Sequence, residues 1–405
     1  MRKYIAYFIF VFIFFTFIFG GVYFFKTSDK AQNNKEIYVS SLFPELRVKN
    51  DNEDLNMYTV ELMGLCLKEI KTEKCYQELA KVLISQFDLS VIMKALEETE
   101  DYHEVFSKCH TETHFLGREG YRLTGNLSDS FNQCNFTCHG GCYHGVMEQF
   151  FVEEGLVGAE EKQVKKILKT ACGKEENYPV FQEYGECIHG LGHASMLITG
   201  TNLVLSLGFC DELGSVSERE ACYSGVFMEN SSSSTETAPH PTNFIKKEDP
   251  MYPCNILEEK YLNICYGYQS SYFYQLSGSD WQGTVDLCNQ VPEDYRHNCF
   301  TVYGSNQVGN AQDMSVWVKN CRLIKKEEYQ DVCISGIVNS LAGRYGGDYE
   351  KLTNFCAILE GLDKKHCYLN IANVLSSFGF DNEDIKSMCL KFKEYSFACL
   401  EQLKN

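Results

Sequence analysis

Residues 310–344 read NAQDMSVWVKNCRLIKKEEYQDVCISGIVNSLAGR, and the two cysteines in that stretch, Cys321 and Cys333, set the frame for most of the chain. An apolar-periodic segment ends at Cys321, charged residues follow, and a second such segment opens at Cys333, the pattern of two helices joined by a turn. Antiparallel helices joined so closely can bring residues near the turn to the Cα separation of about 5.5 to 6 Å that a disulfide needs. Stop-and-start signals recur between units at Gly278-Ser279-Asp280, Gly346-Gly347-Asp348 and Gly379-Phe380-Asp381. Glycine suits the left-handed residue after a helix, and Asp or Ser caps the next one.

Cys333 belongs to a series: Cys75, Cys109, Cys142, Cys187, Cys222, Cys265, Cys299, Cys333, Cys367 and Cys399. Seven of the nine intervals lie between 32 and 35 residues; the exceptions are 45, across Gly173 and Pro179, and 43, across a linker-like insertion at 230–253 rich in Ser, Thr and Pro. Self-similarity at a fixed period marks a repeat architecture. The expected fold is all-α, an α/α solenoid of about ten disulfide-stapled helical hairpins with a period of about 34 residues, filling 51–405. Over residues 60 to 405 the unit length and two-helix form resemble tetratricopeptide-type solenoids. The Trp-Leu-Gly-Tyr-Ala-Phe-Pro pattern of that family is absent and the cysteine pairs are foreign to it, so the resemblance implies architecture and carries no functional residue.

Most of these cysteines have a partner 8 to 15 residues upstream. The expected pairs are Cys66–Cys75, Cys134–Cys142, Cys172–Cys187, Cys210–Cys222, Cys254–Cys265, Cys288–Cys299, Cys321–Cys333, Cys356–Cys367 and Cys389–Cys399. Cys109 and Cys138 are left over; they would staple two repeats together, or either could stay free as a ligand. Closing a loop of about a dozen residues contributes roughly 3 kcal/mol in the chain-entropy picture.

Twenty cysteines imply disulfides behind a secretory segment and metal clusters in a reducing compartment. The N-terminus favours the former. Arg2 and Lys3 form a short cytoplasmic end, residues 1–3, before an uncharged apolar run from Tyr4 to Phe25. Its 22 residues suffice to span a bilayer, and a Phe-rich core of that length reads as an uncleaved signal anchor. Residues 26–50 read as a polar stalk. The bulk of the chain is then extracellular, periplasmic or lumenal, or secreted if the anchor is cleaved. Net charge is -18 with no basic block, which argues against nucleic acid as a partner.

Six of the ten histidines fall between residues 110 and 193. Cys142-Tyr-His144-Gly-Val-Met-Glu148 places His and Glu two and six residues after the cysteine; Cys187-Ile-His189-Gly-Leu-Gly-His193 places two His there. Cys109-His110-Thr-Glu-Thr-His114 keeps the spacing of four, shifted by one, and His139 precedes Cys142. Residues four apart share a helix face, and equivalent helices of adjacent repeats lie about 8 to 10 Å apart. His110, His114, His144, Glu148, His189 and His193 are therefore the candidate metal ligands, with His139 a secondary one. Gly145, Gly190 and Gly192 would allow close helix approach. Later repeats carry no His at these positions, so the scaffold itself does not require it.

Helical bundles bind metal pairs with such His and carboxylate sets, and the donors suit Zn, Fe, Cu or Ni. The expected function is a metal-binding repeat protein, with enzyme activity left open; were it an enzyme, it would be an oxidoreductase or hydrolase in which Glu148 could act as general base to a metal-bound water. The simpler reading is a set of packed, hydrogen-bonded histidines on a glycine-rich interface. Cys134-Asn-Phe-Thr-Cys138-His139 offers a minor alternative in covalent haem, one spacer residue too long, or zinc held by these cysteines. A non-enzymatic scaffold for protein or peptide partners is the rival function, since solenoids present extended concave surfaces. Asn126, Asn135 and Asn230 fit the glycosylation pattern. His103, His240, His297 and His366 are expected in turns or exposed segments, and the aromatic stretch Tyr266 to Tyr274 in helix packing.

Overall fold

A computed structural model describes residues 52–68, 72–106, 108–232, 241–345 and 347–402. The expected membrane span, the stalk and His240 lie outside them. Every regular element among the described residues is a helix, and none of these helices is long and apolar enough to cross a membrane.

Short and long helices alternate. Short ones include Leu203–Cys210, Trp281–Cys288, Met314–Cys321, Tyr349–Ala357 and Asn382–Leu390; long ones include Cys109–Thr124, Gly141–Glu153, Phe181–Ile198, Val216–Ser232, Glu259–Leu276, Glu293–Asn310, Glu327–Arg344 and Gly361–Ser377. The boundaries follow from local chemistry. Gly278, Gly347 and Gly379 take the left-handed conformation, with φ of 69, 80 and 81°, where a β-carbon would be strained. Asp280, Asp348 and Asp381 follow, and each carboxylate accepts two backbone N–H groups of the next helix. Acidic residues in the first turns of the long helices, such as Glu293, Asp294, Glu327 and Glu328, complement the helix dipole.

Ten disulfides are formed, and no cysteine among the described residues is free. Nine join a cysteine at or near the end of one element to one in the helix that follows, as in Cys288–Cys299, Cys321–Cys333 and Cys356–Cys367, with Cα atoms 5.6 to 5.8 Å apart. The tenth, Cys109–Cys138, spans 29 residues. The sulfurs from Cys172 onward sit in a continuous apolar core that runs from Tyr121 to Cys399. His297 is exposed, as expected, though within a helix; His366 also lies within a helix, where it is partly exposed and pairs with Asp331 at 3.0 Å. His103 opens the short helix His103–Phe106.

Neighbouring long helices approach through paired glycines. A β-carbon on Gly117 would meet the Cys142 carbonyl, and one on Gly145 the His114 carbonyl. Gly192 and Gly225 make the same reciprocal contact with Cys222 and His189, and Gly304 and Gly336 with Cys333 and Thr301. Without side chains at these points, the backbones of the paired helices come into direct contact.

The array also curls back on itself. Arg344, 3 % exposed, lays its guanidinium 4.1 Å from the Phe106 ring and donates to the Glu100 carbonyl. Lys351 reaches Glu100 and Asp101, Tyr345 donates to Asp101, and Gln312 donates to the Asp101 carbonyl. Phe136 packs edge-on against Phe378. These contacts join residues more than 200 positions apart, which the repeat pattern alone does not predict.

Candidate metal centre

Two glycine-mediated approaches bring the three histidine-bearing helices into one cluster, and a third adds the helix that carries Ser224 and Glu229. Helices Cys109–Thr124 and Gly141–Glu153 meet at Gly117 and Gly145; Phe181–Ile198 meets the second of these where Gly190 faces Met147, and meets Val216–Ser232 at Gly192 and Gly225. The result places the rings of His110, His114, His144, His189 and His193 with neighbouring centroids 4.8 to 5.5 Å apart. His144 and His193 are stacked and nearly fully buried.

The hydrogen bonds fix which ring nitrogens carry protons. His110 Nδ1 lies 2.8 Å from the Cys138 carbonyl, which can only accept, so it is an N–H donor. His114 Nδ1 lies 3.2 Å from Glu148 Oε1, and His193 Nδ1 3.0 Å from Glu229 Oε2, both carboxylate acceptors. His189 Nδ1 lies 2.6 Å from Ser224 Oγ, whose own hydrogen goes to the Ala221 carbonyl, so the serine accepts. His144 Nε2 lies 2.9 Å from Glu186 Oε2 and donates when that carboxyl is ionised. In each neutral ring the other nitrogen is then a bare lone pair. Those nitrogens face one another: His110 Nε2 and His114 Nε2 are 3.2 Å apart, His114 Nε2 and His144 Nδ1 3.3 Å, His189 Nε2 and His193 Nε2 3.1 Å.

Lone pairs at such distances repel unless a proton or a cation lies between them. Protonation of His110, His144 and His189 is disfavoured. Burial, reinforced by the neighbouring imidazoles, pushes His110, His144 and His189 well below the usual imidazole range. A metal ion satisfies several lone pairs at once. The ligand atoms form two triads, His110/His114/His144 and His144/His189/His193, each within 4.8 Å, and Glu148, His193 and Glu229 form a third grouping. His144 is common to the first two.

The carboxylates surround this core. Burial raises Glu148, but Arg118 and His114 outweigh it and hold the carboxyl well below its ordinary value; Arg118 Nε donates to its second oxygen at 2.6 Å. Both Glu148 oxygens are thus engaged, so service as a general base would require it to leave one partner. Glu229 is likewise lowered: burial opposes ionisation, and His193 favours it more strongly. Burial lifts Glu186 to about 7, and a cation among the rings would draw it down again.

His139 stands apart. Its Nε2 lies 3.1 Å from Ser340 Oγ, its ring centroid is 6.3 Å from that of His110, and burial together with Arg344 pushes its pKa down to about 3. Cys109, Cys134, Cys138 and Cys142 are all in disulfides, which removes the thiols that haem attachment or a cysteine zinc site would need. Met147 is buried in the core. The sequence pattern missed Arg118, Glu186, Glu229 and Ser224. Arg118 was within reach, four residues beyond His114 on the same face; Glu229 falls one place after the slot held by Glu148 and His193, and Glu186 precedes Cys187, so neither shares the repeat position. A cavity of ≈ 450 Å³ adjoins the cluster and is lined in part by His144 and His189.

No family model, curated protein or solved structure matches this chain.

Proposed function

We propose that this is an extracytoplasmic, membrane-anchored helical repeat protein that binds a divalent transition metal through His110, His114, His144, His189 and His193. The observation that carries the reading is the outward donation of His110, His114, His189 and His193, joined by His144 when Glu186 is ionised, which leaves their remaining nitrogens converging as lone pairs. Metal-binding histidines characteristically donate their other N–H to a carboxylate, carbonyl or similar acceptor, which fixes the tautomer and raises ligand basicity. The first triad is the primary place for an ion. Its neighbouring nitrogens are separated by 3.2 and 3.3 Å, the spacing of ligands bound tetrahedrally at roughly 2.0 to 2.1 Å. His189 and His193, with Glu148 and Glu229 close by, form the place for a second ion.

An all-imidazole inner set suits Zn, Cu, Ni or Fe, and the surrounding carboxylates offset the ion's charge. An ion held by three imidazoles keeps a position for water or substrate, which supports a hydrolase or an oxidoreductase. The alternation of short and long helices supports an α/α solenoid of roughly 34-residue units, and the apolar run at 4–25 supports the anchor. The ten disulfides fit an oxidising compartment.

Elemental analysis of the purified full chain tests the proposal. At least one equivalent of metal is expected, lost in a His144→Ala, His189→Ala double variant whose helical circular dichroism is retained. A folded chain that takes up no metal after exposure to zinc, copper, nickel and ferrous ions overturns it.

A further inference from the structure

The cavity beside the cluster has a gradient from inside to outside. Its inner wall holds the buried His144 with Glu186, and its outer rim holds the exposed Glu175 and Glu220. Glu218, half-buried, lies on the same rim, held by the hydroxyl of Tyr184 and the Ser215 backbone N–H. Two aromatic residues, Tyr184 and Tyr268, line the wall, and Phe181 stands half-exposed at the opening. Among the described residues, four carboxyl groups line this space and no Lys or Arg does.

A volume of ≈ 450 Å³ falls within the range of small-molecule sites. Carboxylates combined with aromatic faces are the chemistry that holds organic ammonium or guanidinium groups, through charge-assisted hydrogen bonds and cation–π attraction. The same side chains repel phosphates and carboxylates and offer them no cationic partner. The position of the charges sets the orientation of a guest: its cationic end belongs at the rim beside Glu218 and Glu220, and its neutral end at His144 and His189. That placement also keeps two positive centres, guest and metal, at opposite ends of the space.

We propose that this cavity is the substrate site of the metal centre and that it takes a small organic cation, an amine or guanidinium compound carrying a short neutral tail. The assignment of the cavity as a substrate site rests on the metal-binding reading above; its selectivity for cations rests on the lining alone.

Isothermal titration of the full chain with benzylamine and with benzoate, equal in size and opposite in charge, tests the proposal, with metal content measured on the same samples. The charge comparison is made on chain freed of metal by chelator, so that ligation of the ion is not read as pocket binding; there benzylamine is expected to bind and benzoate not to. A Glu218→Gln, Glu220→Gln double variant is expected to weaken benzylamine roughly tenfold or more, as loss of charged hydrogen-bond partners does, with metal content unchanged. Because Glu218 also holds Tyr184, the single Glu220→Gln variant is measured beside it and should show a smaller loss in the same direction. Benzoate binding as well as benzylamine to the chain freed of metal, absence of benzylamine binding to metal-loaded protein, or undiminished affinity in both variants overturns the proposal. Benzylamine bound by a chain that takes up no metal would instead retain the cationic pocket and remove the metal centre.

Discussion

Gly145 lies directly against the backbone carbonyl of His114, on the neighbouring helix, with no room for a β-carbon between them. The contact joins scaffold to site, because the same approach that packs the helices sets the distance between the His114 and His144 rings. Gly145→Ala should therefore force the two helices apart, at a cost of about 1 to 3 kcal/mol from overpacking, and weaken metal binding with it. Gly208 sits in a helix with open space where its β-carbon would be. Gly208→Ala should leave stability unchanged or raise it by roughly 0.5 to 1 kcal/mol through helix propensity. Thermal unfolding and metal titration of the two variants check this; equal behaviour would show that the glycine contact does not position the site.

Glu148 orients His114 and is itself held by Arg118. Glu148→Gln keeps the shape but turns a charged acceptor into an amide whose nitrogen cannot accept from the ring. Affinity for metal should fall roughly 10- to 100-fold, the usual effect of removing such an outer partner. Chelator competition measures it. Unchanged affinity would mean that the His114 tautomer is set by something else.

The sequence displays the helical hairpins and the histidine rows because both depend on short spacings: cysteines about a dozen residues apart, imidazoles four apart on one helix face. It does not display the partners that give the rings their tautomers. Ser224 and Glu229 lie on the next helix, and the Cys138 carbonyl belongs to a turn in which Cys138, His139 and Gly140 all have positive φ. Backbone acceptors leave no residue-type signal. The closure between Arg344 and the segment at Glu100 is hidden for a different reason: it joins residues 244 positions apart, beyond the reach of any local spacing.

That closure has a pH dependence. Burial lifts Glu100 from an ordinary 4.5 to about 7, despite Arg344 and Lys351, which lower it. The folded chain thus holds a proton that the unfolded chain releases, so this carboxyl's contribution declines as pH rises through that window and is complete only below it. Glu100→Gln removes the titration. The stability difference should shift in favour of the variant between about pH 4.5 and 7, by on the order of 1 to 3 kcal/mol. Denaturant unfolding of both proteins across this range checks the sign. A difference that is flat, or that slopes the other way, would show that Glu100 is ionised in the fold.

Metal retention in acid follows from the lowered imidazoles. His110, His144 and His189 resist protonation in the fold, so protons compete with a bound ion only below the usual imidazole range. Metal content should hold as pH falls through the ordinary imidazole value of about 6.5 and decline only at lower pH. Dialysis at stepped pH followed by elemental analysis gives the midpoint. Release centred at or above the ordinary imidazole value would indicate ligands that titrate as if exposed.

The Cys109–Cys138 disulfide differs from the other nine in what it holds. Cys138 supplies the carbonyl that accepts from His110 Nδ1, and Cys109 immediately precedes that histidine. Left-handed conformations at Cys138 and His139 are each disfavoured by about 1 to 2 kcal/mol for residues with a β-carbon, and the crosslink helps hold them. Cys109→Ser with Cys138→Ser should thus free the turn, let the His110 ring rotate, and reduce metal affinity beyond any loss of stability. Cys389→Ser with Cys399→Ser removes a crosslink remote from the histidines in the chain, and should lower the unfolding temperature while leaving affinity intact. Both double variants are measured below their unfolding transitions, so that affinity is read from folded protein. If the two lose metal equally, the staple at Cys138 contributes general rigidity and His110 does not depend on it for alignment.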